Sequence, residues 1–160
     1  MTSLAFDSST VIAWVLKERG WTAVDRLLRE TDGVVLPSPA LMEVIRIVRL
    51  RGNSRSGRVI ADTLAAQGLI FVHADTEDLI DAAALLEAAA QLSAAQLAGA
   101  HLPATHLAGA VHGETGPSLS TADALILTIA GRLNRPIVTR DRLWGELASA
   151  GLVRIQVHVF

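Results

Sequence analysis

The sequence predicts an α/β domain built on a mostly parallel sheet, and three observations lead there. Short apolar, β-branched runs alternate with longer segments of helical periodicity, the pattern of repeated strand–helix units. The chain has 160 residues, 51% of them hydrophobic and 19% charged, which suits a single domain over residues 1–160 with a real core. There is no cysteine, so disulfide scaffolds, thiolate zinc sites and cysteine nucleophiles are excluded.

Each element rests on local chemistry. Leu4–Phe6 reads as the first strand. Ser8 or Ser9 caps the next helix, whose apolar stripe is Val11, Ile12, Val15 and Leu16. Gly20 breaks it, and Trp21–Glu30 forms a second helix through Val24, Leu27 and Leu28. Val34–Leu36 is a short strand. Ser38-Pro39, a cap followed by proline at the first helical position, opens a helix to about Leu50. After a break at Gly52-Asn53-Ser54, another helix runs to Gln67, closes at Gly68 and leads into a strand at Leu69–Val72. Thr76, with Glu77 and Asp78 in the first turn, starts a long Ala-rich helix. Ser120–Gly131 is a helix, Pro136–Val138 a buried strand, Asp141–Ala150 a helix and Val153–Val157 a last strand.

One segment departs from the alternation. Gln91–Ala100 (QLSAAQLAGA) and His101–Ala110 (HLPATHLAGA) agree at six of ten positions, the mark of a tandem duplication. It forms an Ala-rich insertion around residues 91–118, with Pro103 where a helix would otherwise continue. Its expected place is on the surface, away from the chemistry.

Charge narrows the function. With 14 Lys+Arg against 16 Asp+Glu, the net charge is −2. Bulk charge therefore does not hold nucleic acid, and such contacts must come from a local basic patch. The start MTSLAFDSS has no basic stretch before an apolar core, so no signal peptide is visible. The apolar stretch Ala82–Ala110 is interrupted by Glu87, Gln91, Gln96, His101, Pro103 and His106, and falls short of the roughly 18 apolar residues a membrane span needs. A soluble, cytoplasmic protein is expected.

Four acids stand where this architecture gathers function. Asp7 closes the first strand, Glu43 lies early in the helix after the second strand, Asp123 is in the first turn of the Ser120 helix, and Asp141 follows Ile137-Val138 by three residues. Loops after the strand C-termini and the starts of the next helices share one edge of a parallel sheet, where ligands bind. Clustered carboxylates repel, so such a site makes sense with a divalent cation, and Mg²⁺ or Mn²⁺ suits all-oxygen ligands and phosphate substrates. The chemistry expected is metal-assisted phosphodiester hydrolysis. Each acid also has a purely structural role open to it. Ser120-Thr121-Ala122-Asp123 matches a capping box, Asp141 can cap its own helix, Asp7 can form an Asx turn, and Glu43 can be solvated. Four such coincidences at one sheet edge are less economical than one shared site.

Arg46, Arg49, Arg51, Arg55 and Arg58 form a cationic strip with no acid between Glu43 and Asp62, suited to phosphate contacts or to a solvated helix face. Arg140 can hold a phosphate or a neighbouring carboxylate. His101, His106 and His112 are spaced five and six apart, not the four that aligns two ligands on a helix, which argues against a zinc site. Trp14, Trp21 and Trp144 read as core or interface anchors, and with 4% aromatics a stacking RNA-binding surface is not expected.

Ala5-Phe6-Asp7-Ser8-Ser9, Pro39-Ala40-Leu41-Met42-Glu43, Ser120-Thr121-Ala122-Asp123-Ala124-Leu125-Ile126 and Val138-Thr139-Arg140-Asp141 together resemble the PIN-domain ribonucleases, most of all the VapC toxins of bacterial toxin–antitoxin pairs. The resemblance spans essentially the whole chain. It implies a three-layer α/β/α sandwich around a parallel sheet of about five strands. It implies Asp7, Glu43, Asp123 and Asp141 as Mg²⁺-binding acids, Thr139 as a residue orienting a carboxylate or water, and endoribonuclease activity. A second copy of the chain and a small antitoxin would be its partners. The region from Gln91 to Ser118 is longer than the family pattern.

Rival readings meet specific obstacles. A receiver-type domain needs a lysine near a late strand, and Lys17 is the only lysine. An aspartyl-nucleophile phosphohydrolase wants an Asp two residues after Asp7, where Ser9 stands. The remaining rival is a PIN-like module that binds RNA or protein without cleaving, and metal-dependent cleavage separates the two.

Overall fold

The computed structural model describes residues 3–99 and 118–160, the side chains of 93–99 excepted. Pro103, His101, His106, His112 and most of the duplicated insertion lie outside the described residues, and so does the expectation that the insertion stands apart from the chemistry.

The strands β1 (Ala5–Phe6), β2 (Val34–Pro37), β3 (Leu69–Val72), β4 (Ile137–Thr139) and β5 (Val157–Val159) form one parallel sheet in the order β3-β2-β1-β4-β5. The shortest strand is the central one. β1 needs only Ala5 and Phe6, both fully buried, because Ala5 is in register with Val35 on one side and Ile137 on the other. A strand covered on both faces reads as an unbroken apolar run, as Val34–Leu36 and Ile137-Val138 do.

The helices are α1 (Ser8–Val15), α2 (Trp21–Glu30), α3 (Ser38–Leu50), α4 (Gly57–Ala66), α5 (Thr76–Gly99), α6 (Thr121–Arg132) and α7 (Arg142–Ser149). Together with the sheet they make the α/β/α sandwich expected. The core joins Phe6, Leu36, Val44, Ile126, Ile137, Trp144 and Leu147, all essentially inaccessible. No described helix is long and apolar enough to cross a membrane.

Three boundaries differ from the sequence expectation. The cap of α1 is Asp7, not Ser8 or Ser9: its carboxylate accepts from Ser8 N at 2.5 Å and Ser9 N at 3.3 Å. A carboxylate offers two acceptor oxygens where a hydroxyl offers one, so it satisfies two otherwise orphaned amides and frees both serine hydroxyls. At α3, Ser38 is already helical and makes no cap; Pro37 occupies that position. The last strand is Val157–Val159 rather than Val153–Val157. Val153 and Ile155 alternate as a strand would, but they pack on the core from an irregular segment. Sheet pairing begins only where Ile137 N reaches Gln156 O, at 2.9 Å, and ends with Phe160 N on Thr139 O at 3.2 Å.

Helix α5 is pinned to α6 by a contact the local sequence pattern does not announce. Asp78, 2% exposed, takes Nε and Nη2 of Arg132 at 2.9–3.1 Å, while Thr128 Oγ1 donates to its carbonyl at 3.2 Å. The start of α5 therefore lies beside the end of α6, and the two helices run antiparallel.

Candidate active site

All strands point the same way, so the residues just beyond their C-termini meet at one edge. Asp7 comes directly after β1, Glu43 lies in the second turn of α3 after β2, and Asp141 stands two residues past β4. Helix α6 leads into β4 and runs opposite to it, which brings its first turn, with Asp123, to the same edge. The four predicted acids are thus gathered by topology.

Asp7 is the buried centre, 3% exposed. Its Oδ2 accepts from Ser9 Oγ at 2.7 Å and Thr139 Oγ1 at 2.9 Å, and its Oδ1 lies 3.1 Å from Ser8 Oγ. The Ser8 hydroxyl is also 2.8 Å from Glu43 Oε2, so its single proton lies between two carboxylates. Thr139, fully buried, accepts from Asp141 N at 3.0 Å while donating to Asp7, which ties the third acid to the first. Asp123 and its neighbour Ser120 form the complete capping box: Asp123 N donates to Ser120 Oγ at 3.1 Å, and Ser120 N donates to Asp123 Oδ2 at 3.1 Å. Asp141 caps α7, its Oδ1 accepting from Leu143 N at 2.9 Å.

Electrostatics couple the acids. Burial pushes the Asp7 carboxyl up; the Ser9, Thr139 and Ser8 hydroxyls pull it back, and the Asp123 charge raises it further. Asp123 is raised in the same way, first by burial and then by Asp141 and Glu43, against the lowering effect of Ser120. Each of the four acids takes part in this mutual repulsion.

The donor set is entirely oxygen, which fits a hard divalent cation. Asp123 Oδ1 and Asp141 Oδ2 stand outside their caps, and these free oxygens are where such a cation would add ligands. As they stand, the side chains are turned onto caps and hydroxyls, and among the described residues no three acids or histidines are gathered closely enough to hold a metal.

Residues 4–149 match the PIN domain family. The chain belongs to that family. No curated protein matches it in sequence. Among solved structures, this PIN domain is similar to Mycobacterium tuberculosis VapC20, a sarcin–ricin loop cleaving toxin, at 15% identity over 96% of this chain and 99% of that one, with a TM-score of 0.58. It is also similar to VapBC2 from Rickettsia felis, bound to a DNA fragment from its promoter, at 12% identity over 99% of each chain and a TM-score of 0.60. Likewise it resembles FitAcB from Neisseria gonorrhoeae, at 17% identity over 97% and 96%, with a TM-score of 0.56. These likenesses are of fold.

The arginines fall into two groups. Helix α3 starts at the acidic edge and runs away from it, so Arg49 and Arg51 lie about 9–12 Å beyond Glu43 along the axis. Both are exposed and make no ion pair among the described residues, whereas Arg46 sits 3.9 Å from Glu43 and Arg58 pairs with Asp62 at 3.0 Å. Arg140 is paired with Glu18 at 2.6 Å. Trp144 is core, while Trp14 and Trp21 flank Lys17, whose ammonium is 3.9 Å from the Trp21 ring centre.

Sequence reasoning missed the Ser8–Glu43 contact and the Glu18 partner of Arg140, which join residues far apart in the chain, and the local Ser9–Asp7 bond. The one available signal was the pair of hydroxyls directly after Asp7. Two clefts, of about 230 Å³ between α1, α3 and α4 and about 750 Å³ beside α5, α6 and residues 152–155, contain none of the four acids.

Proposed function

We propose that this PIN domain is a metal-dependent endoribonuclease of the toxin kind, hydrolysing RNA phosphodiester bonds at Asp7, Glu43, Asp123 and Asp141. The observation that carries this reading is topological: the parallel sheet brings Asp7, Glu43, Asp123 and Asp141 to one edge, where like charges repel. A shared cation relieves that repulsion, whereas three independent caps and a helix-surface Glu43 would not require it.

The four acids would hold Mg²⁺, or Mn²⁺ in its place, and the ion would supply polarisation of the phosphate and a more acidic bound water. The protein's own residues do the positioning. Thr139, Ser8 and Ser9 fix the plane of the Asp7 carboxylate, Ser120 fixes Asp123, and Thr139 anchors the backbone of Asp141. Arg46, Arg49 and Arg51 offer phosphate contacts along α3, and Arg140 offers one at the edge. RNA is favoured as substrate because the fold neighbour VapC20 is a sarcin–ricin loop cleaving toxin. A small antitoxin and a second copy of the chain would be its partners, with the cytoplasm as its compartment.

A second reading, a PIN-like module that binds RNA or protein, is favoured by one observation: three of the acids are engaged in caps, and among the described residues no group of three is gathered as ligands. One experiment separates the two. Purified protein is incubated with total RNA and Mg²⁺ or Mn²⁺, alongside EDTA and an Asp7→Asn variant. Discrete products lost in both controls support the nuclease. A folded protein that neither cleaves nor binds Mn²⁺ supports the module.

A further inference from the structure

Arg140 lies between two site residues, yet its side chain is held by neither. Its backbone N–H donates to Ser9 Oγ at 3.0 Å, and Ser9 Oγ in turn donates to Asp7 Oδ2 at 2.7 Å. The main chain of Arg140 is therefore fastened to the buried acid through one hydroxyl. The guanidinium, in contrast, reaches Glu18, with Nη1 2.6 Å from Oε2, at the far end of α1.

Glu18 is put there by an unusual helix ending. Glu18 N donates to Ala13 O at 2.9 Å and Lys17 N to Trp14 O at 3.4 Å, the paired closure in which the penultimate residue turns left-handed. Glycine is the usual occupant of that position, but here it is Lys17, at φ 56°. Its ammonium is seated over the Trp21 ring at 3.9 Å and lies 5.8 Å from the Trp14 ring centre, an attraction that offsets the backbone strain. Trp14 is itself fixed, donating Nε1–H to Asp25 at 3.0 Å. A strained, side-chain-stapled turn thus delivers one carboxylate to one arginine 122 residues away.

The pairing uses a single guanidinium nitrogen. Nε and Nη2 make no hydrogen bond among the described residues, and the Arg140 side chain remains 36% exposed. An arginine held by one edge with its other edge open is preorganised for bidentate phosphate recognition. The next residue in the chain is Asp141, an acid of the site, and a side chain released by Glu18 is free to turn onto it.

We propose that Glu18 is a positioning residue that holds the Arg140 guanidinium clear of the acids, alongside α1, as a phosphate-reading group for the RNA backbone next to the acidic edge. The proposal rests on the nuclease reading for the identity of the ligand. It makes a counter-intuitive demand: removing a negative charge ordinarily strengthens binding to a polyanion, whereas loss of Glu18 should weaken it.

The test is equilibrium anisotropy with a fluorescein-labelled single-stranded 20-mer RNA in EDTA, which prevents metal-dependent cleavage. Wild type, Glu18→Gln, Arg140→Gln and the double variant are compared over a salt series. Arg140→Gln should weaken binding and reduce the salt slope by about one unit. Glu18→Gln should weaken it by about two- to fivefold, the scale of a partly exposed ion pair. The double variant should bind no more weakly than Arg140→Gln alone, since Glu18 acts only through Arg140. Tighter or unchanged binding by Glu18→Gln, additive losses in the double variant, or absence of RNA binding by wild type would each overturn the proposal. The nuclease reading is judged separately, by whether Mg²⁺-dependent cleavage disappears in Asp7→Asn; Glu18–Arg140 coupling in a protein that does not cleave would leave the proposal standing and the nuclease reading lost.

Discussion

Thr139→Val is the substitution that most directly probes the link between two of the acids. Threonine and valine have nearly the same shape, so the change leaves no cavity and removes only a fully buried hydroxyl. That hydroxyl donates to Asp7 Oδ2 at 2.9 Å and accepts from Asp141 N at 3.0 Å. A hydrogen bond to a charged acceptor contributes about 1.5–3 kcal/mol, and the partly buried Asp141 amide left without its acceptor adds about 1 kcal/mol. The expected loss is therefore about 2–4 kcal/mol, against about 1 kcal/mol for Thr139→Ser, which keeps both bonds and drops one methyl. Urea unfolding in EDTA would show this as a midpoint lower by about 1–2 M for the valine variant, given a slope near 2 kcal/mol per M.

The pH dependence identifies the partner. The bond is strong when Asp7 is ionised, so the deficit of the valine variant should grow as pH rises through the Asp7 titration and shrink in acid. In cleavage assays, a displaced Asp7 carboxylate should lower kcat by about 10- to 100-fold, with the serine variant close to wild type. Equal stability of the valine and serine variants, or a valine deficit that does not change with pH, would refute the reasoning.

The same contacts make three further outcomes testable. Because the folded-state pKa of Asp7 is raised, its contribution to stability is fully present below the unfolded value near 3.8 and is lost as pH rises through the folded value; metal-free wild type should therefore lose melting temperature relative to Asp7→Asn as pH rises through that range, as thermal melts in EDTA would show. Arg132→Leu leaves the Asp78 carboxylate buried without its partner and should cost about 3 kcal/mol in urea unfolding, whereas Asp78→Asn together with Arg132→Leu should recover part of that loss. Neutralising Arg49 and Arg51 should lower the salt slope of RNA binding by about two units without changing metal affinity, measured by anisotropy and Mn²⁺ titration.

The features legible in the sequence are those that depend on near neighbours. The βα alternation pointed to the parallel sheet, and Ser120-Thr-Ala-Asp123 to a capping box that is present on both of its hydrogen bonds. Even the errors are local competitions. Asp7 displaced Ser8 and Ser9 as acceptor for the amides of α1, and the alternation of Val153, Ile155 and Val157 simulated a strand two to four residues too early. The illegible features depend on partners brought from a distance. Asp78 reads as an ordinary first-turn acid until Arg132, 54 residues on, is placed against it, and Ser8 meets Glu43 only after 35 residues of chain. Periodicity carries no record of such pairs.

The structural and functional readings of the acids turn out not to compete. At α6 and α7 only one carboxylate oxygen is used: Asp123 gives Oδ2 to Ser120, and Asp141 gives Oδ1 to Leu143 N. The other oxygen of each stays outside the cap. Capping also does what a metal site needs from its ligands, because it fixes the carboxylate at a helix start with few rotamers left to lose on binding. Capping alone, moreover, gives no reason for the three caps and Glu43 to sit at one edge, where burial first and neighbouring acids after it raise Asp7 and Asp123. A fold selected for caps alone would disperse those charges. Their concentration is a standing electrostatic cost, and a cation bound by the free oxygens is the feature that would turn that cost into an affinity.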